Sequence, residues 1–184
     1  MHRRRFAAAL ATFPLLSGRV LAEPAAERLR AGGCAVLLRH ALTTPGVGDP
    51  PGFTPGDCRT QRNLSEEGRV QARRIGEWFA AQGLRPRAVR TSAWCRCIDT
   101  AQLAFGRATP WPPLDSLFNE RALTDAANRS LRDALAGIAP GAFEVWVTHQ
   151  VNITALTGAY LSMGEGLVLD AGAHARERLR FGAA

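Results

Sequence analysis

Apolar positions in this chain fall in short unbroken runs. Cys34-Ala35-Val36-Leu37-Leu38 follows Gly32-Gly33 and stops at Arg39-His40, and Glu144-Val145-Trp146-Val147-Thr148 stops at His149. Such runs suit strands covered on both faces, as in a parallel sheet. Ala88 to Thr91 reads as another strand, with Gly166 to Leu169 and Glu177 to Arg180 as closing strands. Helical spacing fills the intervals. Ser65 is placed to cap a helix whose Val70, Ile75, Trp78 and Phe79 share one face and which Gly83 ends. Glu66 and Glu67 suit its first turn, and Gly68 stands where a capping box has an acid. Ser92 is placed to cap a helix over 93–105, and further helices are expected over 130–138 and 152–161. Trp111 to Leu117 reads as irregular or a short strand. Strands alternating with helices predict one α/β domain with a largely parallel sheet. From Thr43 to Gln61 prolines and glycines leave no regular element, and a loop this long in a compact domain is often functional.

The composition is that of an ordinary globular domain: 184 residues, 46% hydrophobic and 21% charged. It excludes a disordered tail, a collagen-like fibre and a many-spanning membrane protein. All 23 basic residues are arginines, and the formal net charge is +7. Four of those arginines lie in the first 22 residues, which hold no acid, so the remainder carries only +3. That modest excess does not point to nucleic-acid binding.

The first 22 residues read as an export signal. Arg3-Arg4-Arg5 precedes an apolar stretch from Phe6 to Leu16, and Val20 and Ala22 suit cleavage before Glu23. The stretch is too short for a membrane anchor, and Pro14 interrupts it. The arginines leave the general secretory and twin-arginine routes both open. The expected organisation is thus a signal peptide over 1–22 and a single domain over 23–184, in the periplasm or outside the cell.

Export places Cys34, Cys58, Cys95 and Cys97 in an oxidising compartment. Zinc is the competing reading, but the single residue between Cys95 and Cys97 is shorter than the usual spacer. Cys34, inside an apolar run, is expected to be a buried thiol. A disulfide from Cys58 to Cys95 or Cys97 would pin the glycine-rich loop to the helix after the second strand. Consecutive helical residues point about 100° apart, so only one of the two can reach Cys58.

Candidate chemistry gathers at strand ends. In open α/β sheets, ligands bind beyond the carboxyl ends of the strands. Parallel neighbouring strands would bring His40 and His149 to one edge, with Arg39 beside them and Arg96 in the first turn of the helix after Ser92. Two imidazoles and two guanidiniums at a helix N-terminus suit a tetrahedral dianion, and an imidazole there is placed to attack phosphorus.

These residues carry a family resemblance. Leu38-Arg39-His40-Ala41 resembles the signature of the histidine phosphatase superfamily, the phosphoglycerate mutase-like proteins. Four later stretches agree in order: Leu64 to Ala72, Thr91 to Ala101, Leu117 to Arg121, and Val147-Thr148-His149. The resemblance runs from about Cys34 to Gly158. It implies a three-layer α/β domain with helices on both sides of the sheet. It also implies that His40 is the nucleophile, that Arg39, Arg96 and His149 hold the phosphoryl group, and that Glu120 is the proton donor, with Asp115 as the second candidate. No cofactor or metal is implied. The chain departs from the pattern in having Ala41 and Gln150, not glycine, after the two histidines. Gln150 and Thr43 are candidate substrate contacts. Asn152 either points into the pocket or caps its helix.

The leading expectation is an exported phosphomonoesterase acting on a phosphorylated small molecule or a lipopolysaccharide-type glycan. A phosphohistidine phosphatase, a mutase and a non-catalytic phosphate- or phosphoglycan-binding module are the alternatives. The oligomeric state is not legible.

Overall fold

The computed structural model describes residues 24–182, so the expected signal segment lies outside the described residues. The described residues form a six-stranded sheet: β1 (Cys34–Arg39), β2 (Ala88–Thr91), β3 (Thr109–Pro110), β4 (Phe143–Thr148), β5 (Gly166–Asp170) and β6 (Ala175–Leu179). Their spatial order is β3-β2-β4-β1-β5-β6. The first four in that order run parallel, while β5 pairs antiparallel with β1 and β6 antiparallel with β5. The helices are α1 (Pro24–Ala31), α2 (Glu66–Ala81), α3 (Cys95–Phe105), α4 (Thr124–Ala136) and α5 (Gln150–Thr157).

The unbroken apolar runs are explained by two cores, one on each face of the sheet. Val36 and Leu38 of β1 and Val145 and Val147 of β4 pack with Leu29, Ile75, Phe79 and Ala101, from α1, α2 and α3. The alternate residues Ala35, Leu37 and Trp146 pack with Leu131, Leu135, Ile153 and Leu156, from α4 and α5. Strand side chains alternate between faces, so a strand buried on both sides is apolar at nearly every position, and the buried Glu144 of β4 is paired with Arg87 and Arg90. This is the three-layer arrangement expected.

Several element bounds differ from the sequence expectation. α1 was not anticipated. α3 is capped by Trp94, without a side-chain hydrogen bond, and Ser92 lies just outside it. Ser92 instead accepts from the Trp94 amide at 3.2 Å and bonds to His149. α4 begins at Thr124, six residues before the expected start, because its first turns bury only Ala127 and leave little apolar spacing to read. α5 starts directly after His149 and ends at Thr157, where Gly158 adopts a left-handed conformation (φ 72°). Leu161 therefore falls beyond the helix. The Ser65 cap is as expected, its hydroxyl accepting from the Gly68 amide at 3.1 Å.

The long loop is irregular apart from a short 3-10 turn at Cys58–Thr60. Its fixed points are covalent and polar: a disulfide joins Cys58 to Cys95, and Arg62 donates to the carbonyls of Gly48 (2.8 Å) and Gly46 (3.0 Å). Cys97 and Cys34 are buried free thiols, as expected for Cys34. Among the described residues, no helix is long and apolar enough to cross a membrane.

Candidate active site

Strand register builds the centre of the site. β1 and β4 are parallel neighbours with Arg39 opposite Thr148, so the next residues of both strands, His40 and His149, leave the same edge side by side. The His40 amide donates to the Thr148 carbonyl at 3.0 Å, and the imidazole centroids are 5.5 Å apart. β2 lies on the other side of β4, and Ser92, just past its end, donates its amide to the Val147 carbonyl. That turn delivers α3, and Arg96 with it, to the same edge.

His40 is buried, with its Nδ1 2.9 Å from the Ala41 carbonyl oxygen. A carbonyl only accepts, so Nδ1 carries the proton and Nε2 keeps its lone pair. Burial lowers the His40 pKa to about 3, and the charges of Arg96, Arg39 and Arg62 add to the fall. Ala41 needs no left-handed backbone; its amide donates to Thr100 Oγ1 at 3.0 Å, and Thr100 in turn donates to the Arg96 carbonyl. Thus α3 holds the turn that aims His40.

His149 is likewise kept neutral, chiefly by burial and then by Arg96. Its Nε2 lies 2.8 Å from Ser92 Oγ, and its Nδ1 lies 3.4 Å from Arg96 Nη2. Both nitrogens have protein partners, so His149 backs His40 and Arg96 in this structure.

Three guanidiniums, not two, line the cavity. Arg39 donates to the Leu161 carbonyl at 2.6 Å, and its Nε is buried without a partner. The Nε of Arg96 is also buried and unpartnered, while its Nη atoms hold Asp49 at 2.7 and 3.3 Å. Arg62, absent from the sequence-based set, donates to Thr43 Oγ1 at 2.6 Å and faces the same cavity. Its signal was slight, a lone arginine between the loop and α2, and only the wrapping of the loop brings it in. Buried polar groups rarely lack partners, so two orphaned guanidinium N–H groups in one cationic cavity mark an anion site. Asp49 was also missed. It accepts from Arg96, from Trp94 Nε1 (2.9 Å) and from the Arg62 amide (3.0 Å). Burial opposes its ionisation, but these donors win and hold its pKa below the ordinary carboxylate range.

The cavity measures about 710 Å³ and also receives Glu120, Gln150 and Ser116. Glu120 is exposed at its wall. Asp115 does not line it. Its carboxylate accepts from the Ala93 amide at 2.7 Å and from Ser92, and burial is the main cause of its raised pKa. The other sequence candidates are structural. Gln150 spends its amide on Ala159, Thr154 and Leu161. Asn152 neither caps α5 nor enters the cavity; it donates to the Asp115 carbonyl at 2.7 Å and accepts from the Leu117 amide at 3.3 Å. Thr43 is outside the lining and holds Arg62. Among the described residues, no group of three or more His, Cys, Asp or Glu side chains is placed to hold a metal ion.

Fold and site together define an α/β domain with an oxyanion pocket around a neutral strand-end imidazole. The chain belongs to the histidine phosphatase superfamily (branch 1), whose family model matches residues 35–152. It is similar to the 2,3-bisphosphoglycerate-dependent phosphoglycerate mutase of Clavibacter michiganensis subsp. michiganensis and to that of Clavibacter sepedonicus. Each is 35% identical over 86 residues, which is 45% of this chain and 34% of the mutase. The matched region thus spans about a third of those relatives' length. Among solved structures, the protein histidine phosphatase SixA bound to tungstate superposes with a TM-score of 0.53 at 14% identity, over 80% of this chain and 97% of SixA. A mycobacterial glucosyl-3-phosphoglycerate phosphatase gives 0.55 at 20% identity, over 79% of this chain and 96% of that one. At these identities the likeness is one of fold.

Proposed function

We propose that the protein is an exported phosphomonoesterase that works through a phosphohistidine at His40 and needs no metal ion. The observation that carries this reading is the 2.9 Å contact of His40 Nδ1 with the Ala41 carbonyl oxygen, which assigns the ring proton to Nδ1 and leaves the Nε2 lone pair beside three guanidiniums. A purely phosphate-binding domain has no use for such a nucleophile.

In the first step Nε2 attacks phosphorus, the N–P bond forms and the ester P–O bond breaks. Glu120 gives its proton to the departing oxygen. In the second step the Glu120 carboxylate takes a proton from water, the water oxygen attacks phosphorus, and the N–P bond breaks to release orthophosphate. Arg39, Arg62 and Arg96 hold the phosphoryl oxygens, with His149 behind them. Catalysis of phosphoryl transfer is mostly positioning and charge stabilisation, which these arginines supply.

Charge balance supports a monoester hydrolase over a mutase. The three arginines face Asp49 and Glu120, so with Glu120 carrying the proton it donates the lining has an excess of two positive charges, which one phosphoryl dianion neutralises. Among the described residues, the lining holds no fourth arginine for a second phosphate. Export is supported by the Cys58–Cys95 disulfide, which suits an oxidising compartment, together with the leader-like pattern of the first 22 residues.

Stopped-flow turnover of p-nitrophenyl phosphate tests the reading. A burst of p-nitrophenol near one equivalent is expected where dephosphorylation limits the rate, with His40→Ala at background. Absence of turnover on any phosphomonoester would remove the catalytic assignment.

A further inference from the structure

The cavity has an unusual gradient. Its floor is buried and polar, with His40, Arg96 and His149 each at most 4% exposed, whereas its mouth is apolar and open. Val47 is 89% exposed and Phe118 51% exposed, and both line the cavity. A ladder of rings leads from floor to mouth: His40 to His149 at 5.5 Å, His149 to Trp94 at 5.7 Å, and Trp94 to Phe53 at 6.0 Å. Trp94 gives its indole N–H to Asp49 and so presents an apolar ring with no unmet donor. Exposed apolar side chains are ordinary when scattered, but a cluster at the mouth of a cavity marks a binding surface.

Polar groups that could serve a sugar are scarce there. The Gln150 amide is engaged with Ala159, Thr154 and Leu161, and Ser116 accepts from the Phe118 amide at 3.4 Å, which leaves the Ser116 O–H, Asn119 and Glu120. A hydroxyl-rich alcohol placed against this mouth would lose water and gain few partners.

We infer that the site takes amphiphilic phosphomonoesters, with the phosphoryl group on the arginine floor and an alkyl or aryl alcohol against Val47, Phe53, Trp94 and Phe118. This rests on the phosphate-pocket reading above and names the substrate class for that pocket. Of the two substrate classes expected from the sequence, it favours a phosphorylated small molecule over a lipopolysaccharide-type glycan.

The test uses alkylphosphonates, whose P–C bond is not hydrolysed, so binding is read independently of catalysis. Calorimetric titration from methyl- to hexylphosphonate should show affinity rising about twofold or more per methylene, the scale set by removing a CH₂ from water. Hexylphosphonate should outcompete glucose 6-phosphate, and the double variant Val47→Ser/Phe118→Ser should flatten the series, lowering hexylphosphonate affinity more than methylphosphonate affinity. A flat wild-type series, or tighter binding of glucose 6-phosphate than of hexylphosphonate, overturns the inference. Turnover with a flat series sinks this inference alone, whereas a rising series without turnover sinks only the catalytic reading. No binding of any phosphonate sinks both. Parallel assays on soluble hexyl phosphate and on phosphatidylcholine vesicles containing phosphatidic acid distinguish a free ester from a lipid-borne one.

Discussion

Burial decides the protonation of His40, and that choice has consequences for both rate and stability. Its pKa, lowered to about 3 in the fold, lies below the ordinary value of 6.5. The unfolded chain therefore binds more protons than the folded one between those values. The stability associated with a neutral His40 is present above pH 6.5 and is lost as pH falls toward 3. His149 acts in the same direction. We predict that the unfolding free energy from urea titrations falls steadily from pH 7 to pH 4.5, and that His40→Gln shrinks the fall by an amount on the order of 1–3 kcal/mol. A pH-independent difference between the two proteins would refute this. On the catalytic side, kcat/KM should show no acidic limb near 6.5 from the nucleophile. Glu120→Gln should slow alkyl phosphates by about 10²-fold or more and p-nitrophenyl phosphate much less, since only a poor leaving group needs the proton. Equal losses on both would make Glu120 structural. The two histidines and Arg39 were legible in the sequence because each sits at or just past the end of a strand with an unmistakable apolar run. Arg62 and Asp49 were not, because the loop that unites them carries no periodicity and its path depends on tertiary contacts.

Close packing between elements explains two glycines that helix propensity would disfavour. A Cβ on Gly68 would lie 1.9 Å from the Leu42 carbonyl oxygen, and one on Gly76 would lie 2.1 Å from that of Ala104. Gly68 thus serves the approach of α2 to the turn after β1 that carries His40 and Leu42, a reason more direct than its place in a capping box. In an exposed helix Gly→Ala gains about 1 kcal/mol. Here we predict the reverse sign: Gly76→Ala lowers Tm with kcat/KM preserved in the folded fraction, while Gly68→Ala lowers both. Thermal melts paired with assays below the transition decide this, and a raised Tm for either variant contradicts it. The Cys58–Cys95 bridge closes a separation of 37 residues. Chain entropy sets its stabilisation at about 3–4 kcal/mol at most. Peptide mapping should recover the Cys58–Cys95 pair, with Cys34 and Cys97 alkylated only after unfolding. The sequence left Cys95 and Cys97 both open because it does not fix the rotation of α3. The structure turns Cys97 inward, 3.5 Å from His149 Nε2. The starts of α4 and α5 were obscure for a related reason: both lack a side-chain cap, so no capping residue marks them in the sequence.

At the scale of the whole molecule, the fold acts as a device for convergence. Three parallel neighbours, β2, β4 and β1, end at one edge, and the chain leaving each supplies a part: Ser92 and Arg96, His149, and Arg39 with His40. The loop after β1 returns across that edge, bringing Asp49 and Arg62 onto it, and is tied down by the disulfide. This convergence was readable in advance because the order of apolar runs implied parallel strands, whereas the apolar mouth was not, since it joins residues from the loop, α3 and the segment after β3. With charge stabilisation supplied by guanidiniums, activity should be unchanged in excess EDTA. A loss reversed by added zinc or magnesium would contradict the mechanism. The most direct test of the central claim is to trap the intermediate and locate it. Rapid quench with a ³²P-labelled phosphomonoester, followed by peptide mapping, should find acid-labile, base-stable phosphate on His40 and none in His40→Ala. Label on His149, or stoichiometric turnover with no phosphoryl-enzyme at any time, would contradict it.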